Sequence, residues 1–433
     1  MARLEPRTEH DSLGTVSVPG GALYGAHTVR ALANFTVSGV SLRERPAFIA
    51  ALGHVKAAAA GANAACGVLD GRLAAAIIEA AREVGRGEHD AEFPIDIVHG
   101  GGGTAVNMNT NEVIANRANE LLGGVRGSYH PVRPNDHVNR SQSTNDVYPT
   151  ALALATVAVG REALAGSERL ASAFAAKAAE YGDTERLART CLQDAVPITI
   201  AATHDGQAHA LRRTAAALAR SLDELLAVPL GATAVGTGIG APAGYRERVL
   251  PLLAAESGLA VTGADDLADA LSNLDGYVDV AAQLLRVATV TGKIASDLRL
   301  LSSGPVGGLG EVRLPAVQVG SSIMPGKVNP VMPELMLQVG YEARGAFAVV
   351  EAAAAGGELD LNVMEPVIVK HLLASLHDVG VACRLFAERC VEGLAWDGER
   401  VAANLAGSLA PAVERAARDG YTAALAARAD DAR

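Results

Sequence analysis

The sequence predicts an all-α protein, a subunit built as an elongated bundle of long helices. Hydrophobic residues make up 49% of the 433 residues but aromatics only 3%, so alanine dominates the apolar share. Alanine is the strongest helix former and lets helices approach closely. Apolar residues also recur every three or four positions over unusually long stretches, as one buried helix face requires. Runs of alternating β-branched residues are nearly missing, so strands are expected to be minor.

Taken in order, the chain starts irregularly. Helical periodicity first appears over 46–67 and again over 73–84, and the glycine run 100–103 then breaks it. The longest candidate helix covers 145–181, a length on the order of 50 Å at 1.5 Å per residue. Further helices are expected over 203–227, 265–301, 333–355 and 366–394. Between them lie segments expected to be loops and dense in Ser, Thr, Asn and Gly: 100–109, 137–146, 189–194 and 320–330. Polar loops at helix ends offer hydroxyls, amides and free backbone N–H groups, which suit a small carboxylate.

Composition narrows the partners. With 37 Lys+Arg against 48 Asp+Glu the net charge is −11, which gives no general attraction for nucleic acid or anionic membranes. No stretch of about 18 uncharged apolar residues stands out. The first 17 residues are charged and lack an apolar core, so no secretory signal is expected and a soluble cytoplasmic protein is. Cys66, Cys191, Cys383 and Cys390 form neither a CxxC pair nor a zinc spacing, and disulfides are not expected. Cys66, Cys383 and Cys390 read as small hydrophobes in helices. His54, His204, His209 and His371 read as solvated or satisfied residues on helices rather than ligands. Neither a metal nor a cofactor is indicated.

Gly320 to Lys327 superficially suggests a phosphate loop. Five residues separate its glycines, however, and Val328 stands where Ser or Thr is required. Signatures of serine hydrolases, zinc peptidases and dinucleotide enzymes are missing.

The segment GSSIMPGKVNP at 320–330 resembles the signature loop of the aspartase/fumarase superfamily, GSSxMPxKxNP, at every position. Three more segments agree in order: DSLG at 11–14 with LYGAHTVR at 23–30, GTAVNMNTNEV at 103–113, and NDHVNRSQSTND at 135–146. The resemblance runs from about residue 7 to about residue 395. It implies a homotetramer with a twenty-helix core, five helices from each subunit, and active sites assembled by loops of three subunits. It also implies an N-terminal domain over 1–140, a central long-helix domain over 141–395 and a shortened C-terminal domain over 396–433.

The reaction implied is elimination from a succinate skeleton to give fumarate. Removing a proton beside one carboxylate leaves an aci-carboxylate, which donors aimed at it must stabilise. Serine is a poor base unless held as alkoxide by neighbouring donors and charge. By resemblance, Ser321 is that base. Lys327 and Asn329 hold a substrate carboxylate, with Ser322 beside them. Thr104, Ser143 and Thr144 grip the carboxylate next to the departing proton, and Asn145, Thr190 and Cys191 neighbour the leaving group.

Three markers imply the ammonia-lyase branch, acting on L-aspartate: His27 in LYGAHTVR, VMPE at 331–334 and NVMEP at 362–366. Departures leave alternatives open. Cys191 stands where relatives carry histidine or glutamine, Val306-Gly307 replaces an Arg-Ala pair, Arg133 replaces a fumarase histidine, and Ala202 replaces a glutamine. The alternatives are a lyase for an N-substituted or other nitrogen-bearing succinate, a class II fumarase, and a non-catalytic scaffold.

Overall fold

A computed structural model describes residues 5–408 and 410–431. In chain order, the hairpin β1 (Arg7–Asp11) and β2 (Gly14–Val18) precedes α1 (Ala26–Asn34), α2 (Pro46–Ala65), α3 (Gly71–Gly85), α4 (Thr104–Leu121) and α5 (Thr144–Tyr181). A second hairpin, β3 (Glu185–Thr190) and β4 (Gln193–Thr199), leads into α6 (Ile200–Glu224), β5 (Ala227–Val228), α7 (Tyr245–Ser257), β6 (Thr262–Gly263), α8 (Leu267–Ser272) and α9 (Asp275–Leu301). The chain continues through β7 (Val312–Arg313), α10 (Val331–Ala355), α11 (Glu365–Phe386), β8 (Ala395–Trp396), α12 (Gly398–Ala406), α13 (Ala410–Asp419) and α14 (Tyr421–Asp431). The strands pair only as four two-stranded ribbons among the described residues. The protein is therefore all-α in the sense the composition predicts.

Two compact units emerge. The first comprises Met1–Glu162, Leu218–Ala282 and Arg344–His377; the second comprises Ala163–Ala217, Gln283–Ala343 and Asp378–Arg433. In the first, α2 is buried along most of its length, with Phe48 edge-to-face on Tyr148 at 4.9 Å. The Asp70 carboxylate caps α3 by accepting from the Arg72 and Leu73 amides. Asn63 of α2 donates to the Arg140 carbonyl at 2.8 Å and accepts from the Ser141 hydroxyl at 2.6 Å, tying the segment before α5 to the core.

In the second unit, small residues let backbones nearly touch. A Cβ on Gly166 of α5 would lie 2.2 Å from the Gly380 carbonyl oxygen of α11, a space only glycine tolerates. The His204 ring is sandwiched between Phe174 at 5.7 Å and Trp396 at 5.9 Å. Its Nε2 accepts from the Trp396 indole at 3.0 Å and its Nδ1 contacts Gln207 at 2.8 Å, so it is a satisfied core histidine. Burial lowers its pKa, keeping it neutral.

Three sequence expectations need correction. The segment 100–109 is a loop only as far as Gly103; from Thr104 onward it is the first part of α4. Its asparagines look like loop residues, yet Asn107, Asn109 and Asn111 are buried and spend their amide N–H groups on internal acceptors. The helix expected over 265–301 is broken between α8 and α9. Asn273 there is extended (φ −116, ψ 131), and the Leu271 carbonyl accepts from the Asn362 amide at 3.0 Å, so a distant segment takes the bond that would continue the helix. The segment 189–194 is the tip of the second hairpin, with Thr190 paired to Gln193. Helices α1, α4, α7, α12, α13 and α14 were not expected.

Cys383 and Cys390 are buried as expected, whereas Cys66 is only half-buried and Cys191 is exposed. Among the described residues no disulfide forms, and no group of three His, Cys, Asp or Glu side chains could hold a metal. One helical stretch, Glu365–Val391, is long and apolar enough to cross a membrane by length and composition, but 61% of that window is buried inside the protein.

Candidate active site

The expected site residues fall in two groups, one in each unit. In the first unit, Ser143 precedes α5, Thr144 and Asn145 start it and Thr104 starts α4, all at helix N-termini, where the helix dipole favours an anion. The Asp146 carboxylate holds this corner: one oxygen accepts from the Ser143 amide at 2.9 Å, the other from the Gly231 and Thr233 amides at 3.1 and 2.9 Å. Asp146 is fully buried, and burial raises its pKa to about 6 against the pull of these amides and of Lys56. The Asn145 side chain donates to the Ala234 carbonyl at 2.8 Å. Thr144, Ser143 and Asn145 are half-buried, whereas Thr104 is exposed and gives its hydroxyl proton to the Gly101 carbonyl at 2.9 Å.

In the second unit the loop between β7 and α10 carries Ser321, Ser322, Lys327 and Asn329. It folds back on itself: the Gly320 amide donates to the Lys327 carbonyl at 3.1 Å, and the Asn329 side chain donates to the Gly320 carbonyl at 2.7 Å. A Cβ on Gly320 would meet the Lys327 carbonyl oxygen at 2.2 Å, so the closure requires glycine there. The Ser321 Oγ accepts from the Ile323 and Met324 amides at 3.2 and 3.0 Å. Those two N–H groups favour negative charge on that oxygen. Beside the loop opens a cavity of about 1160 Å³ whose lining carries Arg299, Arg313, Lys327 and Arg400 against Glu334 and Asp397. Its excess of cations suits a dianion.

Thr190 and Cys191 sit at the exposed tip of the β3–β4 hairpin. Cys191 and Leu192 form its two-residue turn with φ of 53° and 60°. Such turns favour Asn-Gly, so two ordinary side chains held at positive φ store strain of order 1–3 kcal/mol each. The hairpin is held from below: Arg189 donates to Glu311 at 2.9 and 2.7 Å, and Asn404 of α12 donates to the same carboxylate at 2.7 Å. Arg186 lies over the Trp396 ring at 5.6 Å. Sequence reading missed these anchors and Asp146 because each pairs with a partner tens of residues distant.

A bundle of long helices with a glycine-closed serine loop is the architecture of one class of lyases. The chain belongs to the lyase family whose profile matches residues 14–345, and within it to the aspartase/fumarase superfamily. It is 45% identical to the aspartate ammonia-lyase of Corynebacterium glutamicum over 389 residues, covering 90% of this chain and 74% of that protein. It is 43% identical to the aspartate ammonia-lyase of Escherichia coli K12, covering 90% and 81%. Among solved structures, the fumarate lyase:delta crystallin of Brucella melitensis bound to cobalt superposes with TM-score 0.95 at 44% identity, over 97% of this chain and 91% of that one. The class II fumarase of Schistosoma mansoni superposes with TM-score 0.94 at 33% identity, with the same coverage.

Proposed function

We propose that this protein is an aspartate ammonia-lyase, converting L-aspartate to fumarate and ammonia. The observation that carries the reading is the 42–45% identity to curated aspartate ammonia-lyases over about nine-tenths of the chain. The complete signature loop and the three ammonia-lyase markers agree with it.

In this reading the Ser321 Oγ, held as alkoxide by the Ile323 and Met324 amides, takes the C3 proton of aspartate. The electron pair left behind spreads into the adjacent carboxylate as an aci-carboxylate. It then returns to form the C2–C3 double bond as the C2–N bond breaks and ammonia leaves with that bond's electrons. Ser143, Thr144 and Thr104 stabilise the aci-carboxylate, Thr104 turning its hydroxyl away from Gly101 to do so. Lys327 and Asn329 hold a substrate carboxylate beside Ser322, and Asn145, Thr190 and Cys191 face the departing nitrogen. The active form is a homotetramer in which loops of three subunits meet, and the enzyme works in the cytoplasm. The segments 1–140, 141–395 and 396–433 are its three domains.

One observation favours a second reading, a lyase for N-substituted aspartates: Cys191, which this reading sets toward the leaving group, is exposed, smaller than histidine or glutamine and a weak donor. The test is fumarate formation, followed by ultraviolet absorbance, from L-aspartate, L-malate and N-substituted aspartates supplied separately. Fumarate from aspartate in preference to the others is expected. Fumarate only from malate, or only from an N-substituted aspartate, overturns the first reading.

A further inference from the structure

A polar chain under the start of α5, buried at Lys56 and Asn107 and half-buried at Asn139, converges on Thr144. We infer that Lys56, Asn139 and Asn107 are positioning residues that fix the Thr144 hydroxyl as a hydrogen-bond donor toward the substrate carboxylate. This rests on the reading above, in which Thr144 grips that carboxylate.

The argument is one of hydrogen-bond polarity. Lys56 is fully buried on α2, and its Nζ lies 3.0 Å from one side-chain atom of Asn139 and 3.0 Å from one of Gln142. A lysine donates here, so both partner atoms must be the carbonyl oxygens of their amides. The other ends agree independently: the Asn139 Nδ2 donates to the Gln142 carbonyl at 3.3 Å, and the Gln142 Nε2 donates to the Val138 carbonyl at 2.9 Å. Each amide orientation is thus forced by its partners rather than chosen.

With the Asn139 Oδ1 fixed as an acceptor, Asn107 and Asn111, each 3.1 Å from it, must turn their Nδ2 groups toward it. The Asn107 amide has a second proton, which it gives to the Thr144 Oγ at 3.0 Å. That bond occupies a Thr144 lone pair and leaves its proton pointing elsewhere. A carboxylate accepts and never donates, so a threonine held in this sense is matched to it before substrate arrives. Thr144 itself is half-buried, whereas Asn107 is 2% exposed, so the relay is protected where it is set and open where it is used.

Burial pulls the Lys56 pKa down to about 7 while the Asp146 charge opposes that shift. The polarity survives the titration, because a neutral amine still has two protons for the two acceptors. Thr104 shows the contrast: its hydroxyl proton is spent on the Gly101 carbonyl.

The test uses the full-length protein and the variant Asn107→Asp, which keeps size but offers an acceptor, so that Thr144 turns its proton inward. Wild-type turnover of aspartate is measured first, and its failure concerns the function rather than the relay. For Asn107→Asp, kcat/KM for aspartate is expected to fall about 10–100-fold, the range of one hydrogen bond to a charged group, with a loss in kcat because that bond strengthens on the aci-carboxylate. Thr144→Val is expected to lose as much, and the double variant no more than Thr144→Val alone. A value for Asn107→Asp within about two-fold of wild type, or a double loss equal to the product of the single losses, overturns the relay. If Asn107→Asp does not fold, Asn107→Leu replaces it: a several-fold loss with Thr144 present and none in the Thr144→Val background is expected, and an equal loss in both backgrounds refutes the inference.

Discussion

Removing the Arg189 guanidinium tests how the β3–β4 hairpin is held. The Glu311 side chain has no exposed surface, and Arg189 is 14% exposed. Two donors from Arg189 and one from Asn404 satisfy that carboxylate. In Arg189→Met the charge stays buried with Asn404 as its remaining side-chain donor. Breaking a buried pair in this way costs about 3–5 kcal/mol, whereas replacing both partners with apolar groups is close to neutral. At about 2 °C per kcal/mol, Arg189→Met should melt about 6–10 °C below wild type. Arg189→Met/Glu311→Leu should recover most of that loss. Wild type, the two single variants and the double variant are compared by thermal unfolding at one protein concentration, since assembly shifts the midpoint. Additive losses, within about 0.5 kcal/mol, would show that the two side chains do not act as a unit. A second consequence concerns chemistry: Thr190 follows Arg189 directly, so Arg189→Met should also lower kcat/KM at temperatures where the variant is folded.

Other expectations follow from the same structure. Glu83 is held at a pKa of about 2, from an ordinary 4.5, chiefly by its hydrogen bond from Arg117 and secondarily by one from His89. A depressed carboxylate stabilises above its unfolded pKa and loses that stability as pH falls through the folded one, so Glu83→Gln should cost up to about 3 kcal/mol at neutral pH. The melting gap to wild type should narrow steadily between about pH 4.5 and 2; a gap independent of pH would assign the cost to packing. Cys191 is exposed while burial raises the Cys383 and Cys390 thiols to about 12, so iodoacetamide should label Cys191 first and the buried pair only on unfolding, as read by peptide mass spectrometry. Labelling of Cys383 in the folded protein would contradict the packing described.

Much of this was legible in the sequence where the cause is local. The 38-residue helix α5 begins within one residue of where periodicity places it and ends at Tyr181, because an alanine-rich run with apolar residues every three or four positions specifies a helix without outside help. The signature loop was legible because its glycines, serines and lysine are close neighbours in sequence. Where a distant partner decides, the reading failed. The break before α9 depends on Asn362, nearly ninety residues onward, and the start of α4 looked like a loop because the partners of its asparagines lie elsewhere. Lys56 was invisible for the same reason: its acceptors Asn139 and Gln142 lie 83 and 86 residues away. The hairpin tip is a related case, since Cys-Leu gives no turn signal and positive φ there is imposed by the strands on either side.

The central claim is that Ser321 takes the proton whose loss expels ammonia from aspartate. The most direct measurement is fumarate formation from L-aspartate by wild type and Ser321→Ala, matched in oligomeric state and melting temperature. Turnover by wild type, reduced at least about a thousand-fold in the variant, is the predicted result. Comparable turnover by both proteins would contradict the account.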